Sequence, residues 1–299
     1  MPATFHYGGQ AVIEGVMMRG QTSVSIAVRR PNREIDLTTK PLPSISTGRL
    51  HRIPLLRGIV ILAESLILGV QALFHSANVS MDEEDEEMPG ILMWGVLAFS
   101  LAFSIGLFFV APVLLVEHAI DPRLESDIAV RTIEHALRIA MFIVYLGAIN
   151  LIPSVRSVFA YHGAEHKTIN AYEDGAPMQV EAIRKYSTAH LRCGTSFLLA
   201  VLVIAILLFV LVDIIVPDIA RWQLLSSRIV LIPVIAGLAY EVTRFSAKYS
   251  DNRVVRKLFI PGLALQALTT REPDDSQIEV AMHALERVLQ DDGVQQAQT

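Results

Sequence analysis

The sequence predicts a mainly α-helical membrane protein: a polytopic bundle of about four spans plus a re-entrant or interfacial helix, with a small N-terminal β unit and a cytoplasmic cap. Three observations carry this. Of 299 residues, 52% are hydrophobic and only 18% charged, with a mean hydropathy of +0.45, whereas a soluble domain carries about 25% charge. Met88 to Val116 holds neither a charge nor a histidine, and roughly 20 apolar residues suffice for a helix to cross the hydrocarbon core. Near the N-terminus the pattern instead alternates with period two, the signature of a hairpin. The net charge of −5 excludes a generally basic nucleic-acid binder. A single cysteine excludes a disulfide framework and Cys-rich zinc modules.

Residues 1–50 form the β-rich segment, expected in the cytoplasm. Val24, Ile26 and Val28 alternate with Ser23, Ser25 and Ala27, Pro31-Asn32 makes a turn, Ile35 and Leu37 alternate again, and Pro41 and Pro43 end the unit. Gly8, Gly9, Gly15 and Gly20 surround Glu14 and Arg19. They match neither dinucleotide nor P-loop spacing and read as turn glycines, with a close approach of substrate to backbone as the alternative. Met1 to Gly9 lacks a basic n-region and an apolar h-region, so no cleavable signal peptide is expected.

Residues 51–87 read as an interfacial or re-entrant helix followed by an acidic linker. Gly58 to Phe74 is apolar but carries Glu64 near its middle, and an ionised carboxylate at that depth costs roughly 2.5–3.5 kcal/mol. The run Asp82–Glu87 reads as a solvated linker, or alternatively as a weak divalent-cation site. Residues 88–245 form the bundle. Its spans are Met88–Val116, Cys193–Val212, Ile139–Val155 with Arg138 and Arg156 as flanking anchors, and Leu224–Phe245, kinked by Pro233 and Gly237. Residues 1–57 hold eight Lys/Arg against three acids, and 241–257 five against two. The positive-inside rule then puts both termini in the cytoplasm and requires an even number of spans. Loops 117–138 and 217–228 fall outside and 156–192 in the cytoplasm. The tail, 246–299, is cytoplasmic and helical: Pro273 opens a helix with Asp274 and Asp275 in its first turn, and Ile278, Met282, Leu285 and Leu289 form an apolar stripe. Beyond Asp291 the tail is polar and expected to fray.

The residues that could carry chemistry lie in 156–192. His162-x-x-Glu165-His166 has the H-x-x-E-H order of the inverted zincins. On a helix the two imidazoles project from one face toward one metal, and Glu165 stands beside them as a general base. The alternative is a histidine pair that merely hydrogen-bonds a helix or a headgroup. His190 could supply a third ligand. Glu173 is the alternative group to complete the metal site; it falls on the His162 stripe, but three turns away. Cys193 is a third-ligand thiolate, a nucleophile beside a histidine, or a small buried hydrophobe. Arg192 anchors to headgroup phosphate or borders the site. Arg57 with Glu64, and Glu241 with Arg244, read first as ion pairs. Together with Glu14, these residues read second as groups that surround and orient the metal ligands.

Four blocks stand out together: Gly9–Gly20, His162–Lys167, His190–Thr195 and Pro261–Pro273. They resemble the YqhQ-like family of bacterial integral membrane proteins, a domain of unknown function labelled "predicted metal-dependent enzyme". The resemblance covers roughly residues 8 to 290. It implies an inner-membrane location and a site where the four blocks meet.

The expected function is a membrane-embedded metal-dependent hydrolase for a peptide or lipid-linked substrate at the cytoplasmic surface. Its partners would be membrane lipid and a membrane-protein or lipid-linked substrate, not nucleic acid. Its metal would be zinc, the default for imidazole and carboxylate ligands, with manganese(II) or iron(II) as alternatives. The rival readings are a non-enzymatic scaffold that binds a partner and, last, a transporter.

Overall fold

In the computed structural model, residues 5–42, 53, 55–81, 88–119, 127–190, 193–216, 221–249, 252–258 and 260–294 are described. Arg192 and the acidic run Asp82–Glu87 lie outside them. The chain is mainly helical behind a four-stranded antiparallel sheet, and it divides into two compact units, Glu83–Val155 and the remainder.

The sheet is a meander of β1 (Gly8–Val12), β2 (Gly15–Arg19), β3 (Ser23–Arg29) and β4 (Ile35–Pro41). Glu14, in the two-residue β1–β2 turn, takes a left-handed φ of 49°, a cost for a residue with a side chain. Its carboxylate recovers this by accepting the Ser157 hydroxyl at 2.7 Å and the Tyr161 hydroxyl at 3.3 Å. The hairpin read around Pro31-Asn32 is present as β3–β4. Its serine face is not solvated: Ser23 and Ser25 are buried like their apolar neighbours, because both faces of the sheet are covered.

One face carries Val12, Met17, Val24, Ile26 and Val28 and packs on Leu68 and Ala72 of α1 (Leu56–Val79). The other carries Val16, Met18 and Ala27 and packs on α5 (Pro153–Glu173) and on α12 (Asp275–Asp291) through Ile278, Ala281, Leu285 and Leu289. Small side chains on the strands let α12 approach closely. Helix α12 begins slightly later than the sequence indicated: Pro273 precedes it, Asp274 is its N-cap and forms a capping box with Gln277, and Asp275 alone is the acid of the first turn. Of the tail expected to fray beyond Asp291, Asp292 is held, accepting the backbone N–H groups of Gln21 and Thr22 at 2.8 and 3.0 Å, and residues 295–299 lie outside the described ones.

Three helical stretches among the described residues are long and apolar enough to cross a membrane: Leu56–Val79, Gly90–Ala119 and Ala129–Ile149. Of the two expectations for the first, re-entrant or interfacial, its being one uninterrupted helix fits the interfacial one. The carboxylate that argued against a full crossing, Glu64, is buried and ion-paired to Arg19 of β2 at 3.1 Å. In the Glu83–Val155 unit, α2 (Gly90–Ile105) runs through a π-helical turn (Gly106–Val110) into α3 (Ala111–Ala119), followed by α4 (Asp127–Ile149). The expected Ile139–Val155 span is displaced toward the N-terminus, because α4 stops before Pro153. Arg138 is therefore no flanking anchor. It is buried, paired with Glu134 at 2.7 Å, and donates to the Phe108 carbonyl in the π-turn.

In the other unit, α6 (Val180–Ile183) precedes α7 (Gly194–Ile215), whose apolar stretch Phe197–Val212 matches the second expected span. Leu224–Phe245 is not one helix. It breaks at Leu231 into α8 (Arg221–Val230) and α9 (Ile232–Lys248). Pro233 sits in the first turn of α9, where its missing N–H costs nothing. Gly237 does not kink α9; it lets the Leu55 carbonyl approach. The short helices α10 (Arg253–Leu258) and α11 (Ile260–Gln266) lead to α12.

Both expected ion pairs are re-partnered. Arg57 forms a two-pronged pair with Glu241, its Nε 2.6 Å from Oε1, and Glu64 takes Arg19. Residues adjacent on one helix lose to partners brought up by the fold.

Candidate metal centre

Helix α5 presents His162, Glu165 and His166 on one side. Each histidine is fixed by a main-chain carbonyl: His162 Nδ1 donates to Thr269 at 2.8 Å and His166 Nδ1 to Thr188 at 2.5 Å. A carbonyl only accepts, so Nδ1 carries the proton in both rings. In the neutral imidazoles Nε2 is then the lone-pair atom. This is how metal-ligating histidines are oriented. Both carbonyls are themselves held. Asn170 donates to the Ser187 and Ala189 carbonyls either side of Thr188, and the Thr269 hydroxyl lies 3.3 Å from that of Thr195.

Cys193 caps the N-terminus of α7. Its Sγ accepts the Thr195 N–H and lies 3.2 Å from His162 Nε2. One nitrogen of each histidine and this sulfur all lie within 4.8 Å of one another. Glu165 is buried. Its Oε1 accepts the Gly9 N–H at 3.0 Å, and its Oε2 stands 3.9 and 3.8 Å from the Nε2 atoms of His162 and His166.

His190 lies next to this group rather than in it, its ring 5.5 Å from that of His166. Burial lowers its pKa, with the Glu165 charge opposing and His162 assisting, so it is neutral at pH 7. Glu173 does not join the cluster to complete the metal site, because it stays three turns along α5 from His162; it meets His190 at 3.7 Å and His6 at 3.9 Å. Glu14 binds α5 nearer its N-terminus, at Ser157 and Tyr161, where burial and the Glu14 charge push the Tyr161 phenol above its ordinary pKa. Glu64 reaches the site through Arg19. Arg57, Glu241 and Arg244 belong to the α1–α9 contact.

A cleft of about 400 Å³ opens onto the cluster, lined by His162, Glu165, His190 and Cys193, by β1 and β2, and by Ile61, Ser65 and Leu68 of α1.

Sequence reasoning passed over the groups that hold the site. Gln266 is one: it accepts the His190 N–H and donates to the His190 carbonyl at 3.1 and 2.8 Å. Thr188, Thr269 and Asn170 are others. Gly163 is the most constrained, since a Cβ there would lie 2.0 Å from the Arg271 carbonyl oxygen. Gly9 is similar: its missing side chain lets Glu165 reach the β1 backbone. The glycine between two motif residues was the one signal available.

Fold and site together define a mainly helical protein with membrane-length helices, a small N-terminal sheet and a histidine–cysteine cluster. The chain belongs to the family described as protein of unknown function (DUF1385), whose model matches residues 53–291. It is 35% identical to the uncharacterized protein YqhQ of Bacillus subtilis (strain 168), over 95% of this chain and 92% of that protein. No solved structure matches the chain. The four blocks that carried the resemblance do meet. Gly9 contacts Glu165, Gln266 contacts His190, and Thr269 contacts both His162 and Thr195.

Proposed function

We propose that this protein is a membrane-embedded, metal-dependent hydrolase acting on a peptide or lipid-linked substrate at the cytoplasmic surface of a bacterial inner membrane. One observation carries the reading: main-chain carbonyls fix both motif histidines with their Nε2 lone pairs toward Cys193 and Glu165. His162, His166 and Cys193 would hold zinc, with iron(II) or manganese(II) as alternatives. The dication would supply Lewis-acid polarisation of the scissile carbonyl or phosphoryl oxygen. Glu165, anchored through Oε1, keeps Oε2 available to accept a proton from the attacking water. Buried neutral His190 closes the side toward Glu173.

In this reading α2–α3, α4, α7 and α9 cross the bilayer with both termini cytoplasmic. Helix α1 lies in the interface. Leu68 and Ala72 sit under the sheet, while Leu66 and Ile67 are exposed on its other side.

Elemental analysis of the purified protein tests the centre. About one equivalent of metal is expected in the wild type, none in His162→Ala/His166→Ala, and retained metal with lost turnover in Glu165→Ala. A metal-free wild type after incubation with zinc, manganese(II) and iron(II) would overturn the reading. The 3.2 Å His162–Cys193 contact also favours a second reading, a thiol nucleophile activated by the imidazole. Iodoacetamide separates the two. A ligand Cys193 is protected by metal, and a nucleophile is alkylated regardless.

A further inference from the structure

Opposite the histidines, the cleft holds a cation that the hydrolytic chemistry does not use. Arg19 ends β2, in register with Gly8, where a Cβ would meet nothing within 4 Å. Arg19 itself lines the cleft, its side chain 27% exposed. Its Nη2 donates to Glu64 of α1, a carboxylate whose side chain is only 3% exposed. Glu64 spends one of five N–H donors and fixes the guanidinium in place. The others are left for a ligand in the cleft.

Two further features narrow that ligand. Among the described lining residues Arg19 is the one fixed positive charge and Glu165 the one carboxylate. Glu64 balances the Arg19 charge, so what the cleft offers an anion is the guanidinium's remaining N–H donors. The wall beside Arg19 is apolar: Ile61 and Leu68 of α1, with Met17. Helix α1 is itself of membrane length and exposes Leu66 and Ile67. A planar guanidinium recognises phosphate through paired hydrogen bonds, and an apolar wall continuous with a membrane-length helix suits an attached chain. The cleft volume lies at the small end of ligand pockets, ~300–1,000 Å³, with room for a headgroup.

We propose that Arg19, held by Glu64, is the recognition group for the phosphate of the substrate, and that the substrate is a phosphate-bearing lipid. This deepens the hydrolase reading and rests on it for the group that the phosphate is presented to.

The test measures binding rather than turnover. The full chain in detergent is titrated with dioleoyl phosphatidic acid, with dioleoylglycerol (the same chains without phosphate) and with inorganic phosphate. The wild type should prefer phosphatidic acid over dioleoylglycerol by ~10–100-fold, the value of one or two charge-assisted hydrogen bonds. Arg19→Gln alone strands a buried carboxylate and endangers folding, so the decisive variant is Arg19→Gln/Glu64→Gln, which removes both charges with little change of shape. It should bind the two lipids equally. Glu64→Gln should keep the preference and Arg19→Lys part of it. An unchanged preference in the double variant overturns the proposal. Inorganic phosphate binding as tightly as phosphatidic acid overturns the lipid and assigns the site to the free ion. Repeating the titration on His162→Ala/His166→Ala separates this proposal from the metal reading. Arg19-dependent binding there supports the anion site whatever the metal content. Bound metal without Arg19 dependence would leave the hydrolase reading standing and overturn this one.

Discussion

Replacing Gly163 by alanine should damage the site from a position that touches neither substrate nor metal. In the middle of a helix this change ordinarily stabilises, by about 1 kcal/mol. Here the added methyl would sit 2.0 Å from the Arg271 carbonyl oxygen and 3.3 Å from Thr188 Cγ2. The first contact is with backbone, so no rotamer change relieves it. The segment must move, and Arg271 is tied to α5 by its N–H to the Phe159 carbonyl at 2.9 Å. Overpacking of this kind costs ~1–3 kcal/mol, which more than offsets the helical gain. A domain of roughly this size loses about 2–4 °C per kcal/mol.

The displaced elements carry the carbonyls of Thr188 and Thr269, the partners of His166 and His162. Metal affinity should therefore fall ~10–100-fold, as when groups supporting metal ligands are lost. Thermal melting in detergent and competition with a zinc chelator measure the two effects. Gly8→Ala is the control, a glycine of the same cleft whose Cβ meets nothing. A Gly163→Ala protein that melts at or above the wild-type temperature with unchanged metal affinity would refute the packing of 266–273 on α5.

Two further perturbations test the frame around the site. Burial pushes the Asp36 carboxyl up, but the Arg30 hydrogen bond and charge, helped by Thr38 and His75, outweigh it and hold its pKa below the usual value. Folding thus favours the ionised form. Its contribution is fully present above pH ~4 and is lost as pH falls through the lowered folded value. Asp36→Asn should lower the melting temperature at pH 7 more than at pH 3; an equal loss at both would remove Asp36 from the acid limb. Arg57→Met should destabilise by ~1–3 kcal/mol, because it strands the half-buried Glu241 carboxylate. Arg57→Met/Glu241→Leu should recover much of that loss, and additive losses would show that the pair is not coupled.

The site has the same construction as the frame: each functional side chain is fixed by a group distant in sequence. Glu165 is anchored on the β1 backbone, 156 residues away, and His162 on Thr269, 107 residues away. This explains why the sheet, the motif helix and the 261–273 segment must fold together before any metal or substrate could be held.

The sequence by itself determined whatever rests on local periodicity and composition. The apolar runs around Met88–Val116 and Cys193–Val212, the β3–β4 hairpin, the start of α12 and the common face of His162 and His166 all follow from neighbours a few residues apart. Local rules misplaced what long-range contacts decide. Glu64 looked too costly at mid-membrane depth because Arg19, its partner, comes from another element. Arg57 and Glu241 were paired with helical neighbours because spacing shows only those. The tail after Asp291 looked free because the backbone donors that hold Asp292 lie in a turn 270 residues earlier. The cluster itself was half legible. A helix brings i and i+4 together by geometry alone, but the sulfur at its side comes from the start of α7. Packing of α5, α7 and the 261–273 segment sets that distance, and no local pattern encodes it.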